Sequence, residues 1–217
     1  MQLKDKLIYF LGDSITEGAL LPDHSLQFSA LVSAKTGAAV KNFSVSGTRI
    51  ARQLSAGKRD RYGDYCFRAS EMEGAPDIIA VFGGTNDYGH GDVPIGTPDD
   101  RTVYTFCGAC HTLFSDLTAR FPNTKIVVFT PLHRWNECDR RGDGSKTKDG
   151  GTLPEYVTAL RDIAESYGLP VLDLFREAEL VPSCNTAEDR FFFDGLHPNE
   201  NGHAYLADRI IEFFRTL

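Results

Sequence analysis

Ser14, Asp194 and His197 are the side chains whose types and setting suit nucleophilic chemistry. Attack on an ester at neutral pH needs an activated nucleophile, a base near pKa 7 to take its proton, a group that orients the base, and donors aimed at the developing oxyanion. Ser14 lies in Gly12-Asp13-Ser14-Ile15-Thr16, directly after an apolar run, Lys6 to Leu11, of strand length. Asp194 and His197 stand three residues apart in Phe193-Asp194-Gly195-Leu196-His197-Pro198-Asn199. In an irregular turn that spacing lets the carboxylate accept the imidazole Nδ1–H and leaves Nε2 to face a hydroxyl. Gly47 can offer its backbone N–H, because no side chain blocks a ligand there, and Asn86 can offer its side-chain amide. Taken singly, each of these residues is more often a turn or cap. What joins them is placement: Ser14, Gly47 and Asn86 each follow a strand-like run, and His197 lies in the last loop, able to fold over the same edge.

The elements that must position these residues alternate. Lys6–Leu11, Ala39–Ser44, Ile78–Phe82, Lys125–Thr130 and Val171–Leu174 read as strands, the apolar runs Lys6–Leu11 and Ile78–Phe82 as buried ones. Helices are expected between them. Ser25 is a candidate N-cap for a short helix that Gly37 ends, and a weakly patterned helix is expected over Asp60–Ser70. Thr105–Phe121 has an amphipathic pattern, and Thr152-Leu-Pro-Glu155 is a capping box opening a helix that Gly168 closes. Asn199 is expected to cap the last helix. Tyr88–Thr102 and Asn136–Gly151, rich in Gly, Asp and other polar residues, read as long loops. Five strand–helix alternations predict an α/β fold: a three-layer α/β/α, doubly wound, five-stranded parallel sheet in the flavodoxin-like order 2-1-3-4-5. In such sheets ligands bind at the carboxyl ends of the strands, where Ser14, Gly47 and Asn86 are placed. No repeat or linker divides the chain, so residues 1–217 read as a single domain.

Composition narrows the function classes. A net charge of -7, spread along the chain, argues against a surface for nucleic acid or anionic membrane. No apolar run is long enough for stable membrane insertion, and the first strand begins within a few residues of Met1, so a cytoplasmic location is expected. The 5 cysteines, an odd number, read as reduced thiols. Cys107-Gly-Ala-Cys110-His111 matches a c-type haem attachment pattern, but it lies on the amphipathic run, where Cys110 reads as core. A zinc site from Cys107, Cys110, His111 and Cys138 lacks the second paired half of the usual spacing. Neither dinucleotide-binding nor P-loop glycine patterns occur.

The four blocks Gly12-Asp13-Ser14-Ile15-Thr16, Gly47 after Asn42-Phe-Ser-Val-Ser46, Gly84-Thr85-Asn86-Asp87, and Asp194-Gly-Leu-His197-Pro198-Asn199 resemble, in order, those of the SGNH hydrolases, also called the GDSL esterases and lipases. The resemblance runs from Tyr9 to about His203; Ile15 departs from the literal Gly-Asp-Ser-Leu by a mild apolar change. It implies the flavodoxin-like SGNH hydrolase fold, with no metal or organic cofactor. It also implies that Ser14 is the nucleophile, His197 the base and Asp194 its orienting partner. The oxyanion hole would be the Ser14 and Gly47 N–H groups and the Asn86 amide, with Asp13 and Asp87 as braces of the site loops. The function to expect is a serine esterase or acylhydrolase acting on a small-molecule ester, an acetylated carbohydrate among them, through an acyl-Ser14 intermediate. An acyltransferase using the same intermediate and a catalytically silent binding module stay open. His133, Arg134 and Trp135, after the fourth strand, are the expected lining of the substrate pocket. The oligomeric state is not set by these residues.

Overall fold

The computed structural model describes residues 1–55, 63–176 and 179–217. Five strands, β1 (Leu7–Leu11), β2 (Ala39–Asn42), β3 (Ile78–Phe82), β4 (Lys125–Phe129) and β5 (Val171–Leu172), form one parallel sheet in the order β2-β1-β3-β4-β5. Among the described residues the helices are α1 (Ser14–Glu17), α2 (Phe28–Thr36), α3 (Tyr65–Ser70), α4 (Thr85–His90), α5 (Phe106–Arg120), α6 (Leu153–Ser166) and α7 (Glu200–Thr216).

β1, β3 and β4 are apolar without alternation because both faces are covered, whereas the edge strand β2, Ala-Val-Lys-Asn, is largely exposed. Successive side chains of β1 and β3 point to opposite faces, so Tyr9, Leu11, Ile79 and Val81 enter one apolar layer and Ile8, Phe10, Ile78, Ala80 and Phe82 the other. The first layer is completed by α3, α5 and α6 and the second by α2 and α7. The result is the expected three-layer α/β/α arrangement. Among the described residues no helix is long and apolar enough to cross a membrane.

Most differences from the sequence expectations lie at element ends. The N-cap ahead of α2 is not Ser25: Asp23 accepts the Ser25 N–H at 2.8 Å and starts a 3₁₀ turn, and α2 begins after Gln27. β1 begins at Leu7, and β2 stops at Asn42, whose Oδ1 accepts the Ser44 N–H at 3.0 Å and turns the chain. β4 ends at Phe129 and β5 at Leu172; beyond them Thr130 Oγ1 donates to Asp173 at 3.2 Å and accepts the Phe175 N–H at 3.0 Å. The helix expected over Asp60–Ser70 is seen as α3, capped by Asp64 through the Phe67 N–H at 2.9 Å; residues 60–62 lie outside the described residues. The loop expected from Tyr88 starts later, because Tyr88 to His90 belong to α4. Thr105 caps α5, and Glu155 accepts the Thr152 N–H and hydroxyl at 2.5 and 2.9 Å at the start of α6. Asn199 caps α7 through the N–H groups of Asn201 and Gly202. His111 is bound to the Pro98 carbonyl at 2.9 Å and the Tyr167 hydroxyl at 3.2 Å, and Cys110 is in the core.

Candidate active site

The turn after β1 brings Ser14 to the first position of α1, with Asp13 as the N-cap accepting the Ile15 N–H at 3.0 Å. On the last loop, Asp194 Oδ1 accepts the N–H groups of Leu196 at 3.0 Å and His197 at 2.7 Å, an Asx-type turn that locks the carboxylate against its own loop. Its Oδ2 lies 2.8 Å from His197 Nδ1, and His197 Nε2 lies 3.0 Å from Ser14 Oγ. The carboxylate can only accept, so Nδ1 carries the proton and Nε2 is left to accept from the serine hydroxyl. Burial pushes the Asp194 carboxyl up, but the His197 N–H, its imidazole and the Leu196 N–H outweigh burial and hold it below the usual carboxylate range.

Three candidate N–H donors follow the carboxyl ends of neighbouring strands β1, β2 and β3. The Ser14 N–H is in the first turn of α1, where no helical carbonyl accepts it. Gly47 has φ +74°, a left-handed conformation, and no atom lies within 4 Å of where a Cβ would stand, so its backbone borders open space. Asn86, the second residue of α4, donates one amide hydrogen to the Thr48 carbonyl at 3.0 Å and keeps the other.

Buried polar groups hold this edge together. Asp87 accepts the N–H groups of Ile50 at 2.9 Å and Ala51 at 2.8 Å, binding the segment after Gly47 to α4. Burial pushes the carboxyls of Asp87 and Asp13 up to about 6 each, against the N–H bonds they accept. Arg68, not singled out in the sequence, donates to the carbonyls of Gly12, at 2.9 Å, and Phe43, and to Thr48 Oγ1 at 2.7 Å. Its guanidinium lies over the Tyr65 ring at 4.6 Å, and the Tyr65 hydroxyl donates to the Phe82 carbonyl at 2.8 Å. Two residues one helical turn apart on α3 thus tie together the ends of β1, β2 and β3. The only sequence signal was that spacing, an aromatic and a cation on one face of a short helix.

The segment after β4 divides. His133 turns to Glu137, with Nδ1 2.8 Å from the carboxylate, and stacks on Phe175 at 4.0 Å; its contacts are not with Ser14, Gly47, Asn86 or His197. Trp135 lies on the loop that carries Asp194 and His197. Its backbone N–H donates to the Gly195 carbonyl at 3.0 Å, its Nε1–H to the Ser183 carbonyl at 3.0 Å, and a Cβ on Gly195 would stand 2.2 Å from its ring. Arg134, 9% exposed, donates from Nη1 to the Thr85 carbonyl and hydroxyl at 3.2 and 3.3 Å, beside Asn86.

The Asn136–Gly151 segment is fastened to α4. The Tyr88 hydroxyl donates to the carbonyls of Asn136 and Asp139, the Asp143 N–H donates to the Gly89 carbonyl at 3.0 Å, and Lys146 Nζ donates to the Asp87 carbonyl at 2.9 Å. A cavity of about 600 Å³ lies between this segment and the far end of α4, lined by His90, Asp92, Lys146 and Lys148 among others; Ser14 and His197 do not border it.

Three comparisons bear on this arrangement. The model of the GDSL-like lipase/acylhydrolase family matches residues 10–205. Among solved structures, a protein from Lactobacillus plantarum is 26% identical, with a TM-score of 0.82 over 98% of each chain. An acetyl xylan esterase is 18% identical, with a TM-score of 0.62 over 95% of this chain and 98% of its own. A two-domain esterase active on acetylated mannans is 18% identical, with a TM-score of 0.60 over 99% of this chain and 50% of its own. These last two likenesses are likenesses of fold. No curated protein matches the chain in sequence.

Proposed function

The chain belongs to the GDSL-like lipase/acylhydrolase family, and on that premise we propose that it is a serine esterase that cleaves small carboxylic esters through an acyl-Ser14 intermediate. The observation that carries this reading is the unbroken relay from Asp194 Oδ2 through His197 to Ser14 Oγ, at 2.8 and 3.0 Å. In it, His197 Nε2 takes the hydroxyl proton as Ser14 Oγ bonds to the ester carbonyl carbon, and the carbonyl π electrons move to oxygen. That oxyanion is received by the N–H groups of Ser14 and Gly47 and the free amide hydrogen of Asn86. His197 then returns the proton to the departing alkoxide as the tetrahedral intermediate collapses. Water, deprotonated by the same Nε2, hydrolyses the acyl-enzyme and regenerates the serine. Asp194 keeps the imidazole in the required tautomer and stabilises the imidazolium that forms.

The reading takes residues 1–217 as one hydrolase domain that uses no metal or organic cofactor, since every step is assigned to a side chain or backbone N–H. As substrate we propose a small, water-soluble ester, with acylated carbohydrates included by analogy with the acetyl xylan and acetylated-mannan esterases. The test is turnover of para-nitrophenyl esters of graded chain length and of acetylated sugars by the parent, Ser14→Ala, His197→Ala and the double variant. Because triad members act as a unit, either single change should remove most turnover and the double little more. Strictly additive losses contradict the assignment.

A further inference from the structure

Arg134 is a buried cation without a counter-ion. The residue is 9% exposed, its Nη1 bonds are to the two neutral oxygens of Thr85, and among the described residues its buried Nε has no partner. Among the described residues no carboxylate lies within ion-pair distance of it. The guanidinium lies 5.5 Å from the centre of the Tyr88 ring, whose hydroxyl is spent on the Asn136 and Asp139 carbonyls, and the carboxylates that feel its charge, Asp143, Asp194 and Asp13, are engaged elsewhere. Asp143 takes the Ser145 N–H at 3.0 Å and pairs with His90 at 3.3 Å, Asp194 serves its own loop and His197, and Asp13 caps α1. Glu137, three residues on, spends Oε2 on His133 Nδ1 and on the Arg134 backbone N–H. Burying a cation with only neutral oxygens and a ring beside it is costly, and burial also pulls the Arg134 pKa down.

The fold nevertheless makes room for this group. Gly89 lies within α4, where glycine is a poor helix former, and a Cβ there would come within 2.8 Å of Nη1. The missing side chain is the seat of the guanidinium. The seat adjoins the chemistry: Thr85 precedes Asn86, and Asp13 and Asp194, which feel the Arg134 charge, flank Ser14 and His197 in their turns. Arginine presents a planar fork of N–H donors whose best partner is a carboxylate, bound by two parallel bonds.

We propose that Arg134 is a specificity-determining residue that binds a carboxylate carried by the substrate, so that the preferred esters are anionic; this rests on the esterase reading of the same site. The carboxylate can belong to the acyl half, as in a half-ester of a dicarboxylic acid, or to the alcohol half, as in an acylated hydroxy or uronic acid. The test uses two acid–amide pairs: para-nitrophenyl hydrogen succinate against the succinamate ester, and para-acetoxybenzoate against para-acetoxybenzamide. The parent should favour the acid of one pair by about tenfold or more in kcat/KM, and Arg134→Gln should abolish that ratio whatever it does to the neutral member. The pair that responds identifies the half of the substrate. No preference in either pair, or a preference that survives Arg134→Gln, overturns the proposal. If the variant does not fold, succinate and succinamide are compared as competitive inhibitors of the parent; succinate should be the stronger, and equal inhibition overturns the proposal. If the parent hydrolyses no ester, the esterase reading fails separately. Calorimetric binding of succinate to parent and Arg134→Gln then decides the subsite: binding that requires Arg134 upholds it, and no binding, or equal binding, overturns it.

Discussion

The Asn86 side-chain amide donates to the Thr48 carbonyl at 3.0 Å, which ties the start of α4 to the turn carrying Gly47. This one bond sets the direction of the second amide hydrogen, so the proposed oxyanion donors of two strand ends are held in one geometry before substrate arrives. A donor placed in advance stabilises the oxyanion more than the ground-state carbonyl. Asn86→Ala should therefore lower kcat roughly 100- to 1000-fold, about 3 to 4 kcal/mol, with a much smaller effect on substrate binding measured on a Ser14→Ala background. Asn86→Asp should be no better, since it sets a negative charge against a developing one. Lost affinity with kcat preserved means that Asn86 holds a ground-state ligand instead.

Asp13 and Asp87 predict an unusual pH dependence of stability. Burial raises both carboxyls from 3.8 to about 6, so between those values the folded chain binds protons that the unfolded chain has released. Their contribution is fully present below about pH 4 and is lost as pH rises through 6. His203, held down to about 4 by burial, acts in the opposite sense, so the comparison of variant with parent isolates each carboxyl. In urea unfolding across pH 4 to 7, the stability of Asp13→Asn and of Asp87→Asn should each fall less, or rise more, with pH than the parent's, since each lacks one carboxyl that loses stability as it ionises. Profiles parallel to the parent's contradict the assignment.

Much of this was visible in the sequence because the buried parallel strands β1 and β3 are unbroken apolar runs whose ends carry Ser14 and Asn86; Gly47 follows the exposed edge strand β2, which the alternation of elements places beside them. Helix α4 was not visible. Thr85-Asn-Asp-Tyr-Gly-His contains poor helix formers, and it is held by tertiary bonds from Tyr88, Lys146 and Arg134 that no local pattern announces. Arg68 was missed for a similar reason: a charged residue on a short helix reads as a solvent face, whereas its partners are carbonyls at the ends of β1 and β2. His133 is the converse case, a polar residue in the expected place whose ring is taken by Glu137 and Phe175.

The Trp135 ring rests on Gly195, the residue after Asp194, where φ is +77° and a Cβ would stand 2.2 Å from the ring. Trp135 therefore positions the turn that carries Asp194 and His197, and Gly195→Ala must displace the ring, the turn or both. A shift of about 1 Å at the imidazole costs on the order of 100-fold in rate, so Gly195→Ala and Trp135→Ala should lower kcat far more than they change KM. Trp135→Phe, which keeps a ring on Gly195 but loses the bond to the Ser183 carbonyl, should recover much of that loss. Equal damage from Phe and Ala at 135 assigns the effect to the Ser183 bond rather than to the ring.

Activation of Ser14 by His197 can be read from covalent labelling with a fluorophosphonate, located by peptide mass spectrometry. One adduct per chain is expected, on Ser14, formed at a rate that collapses in His197→Ala although Ser14 is still present. Labelling at another residue, or a rate on Ser14 that does not depend on His197, contradicts it.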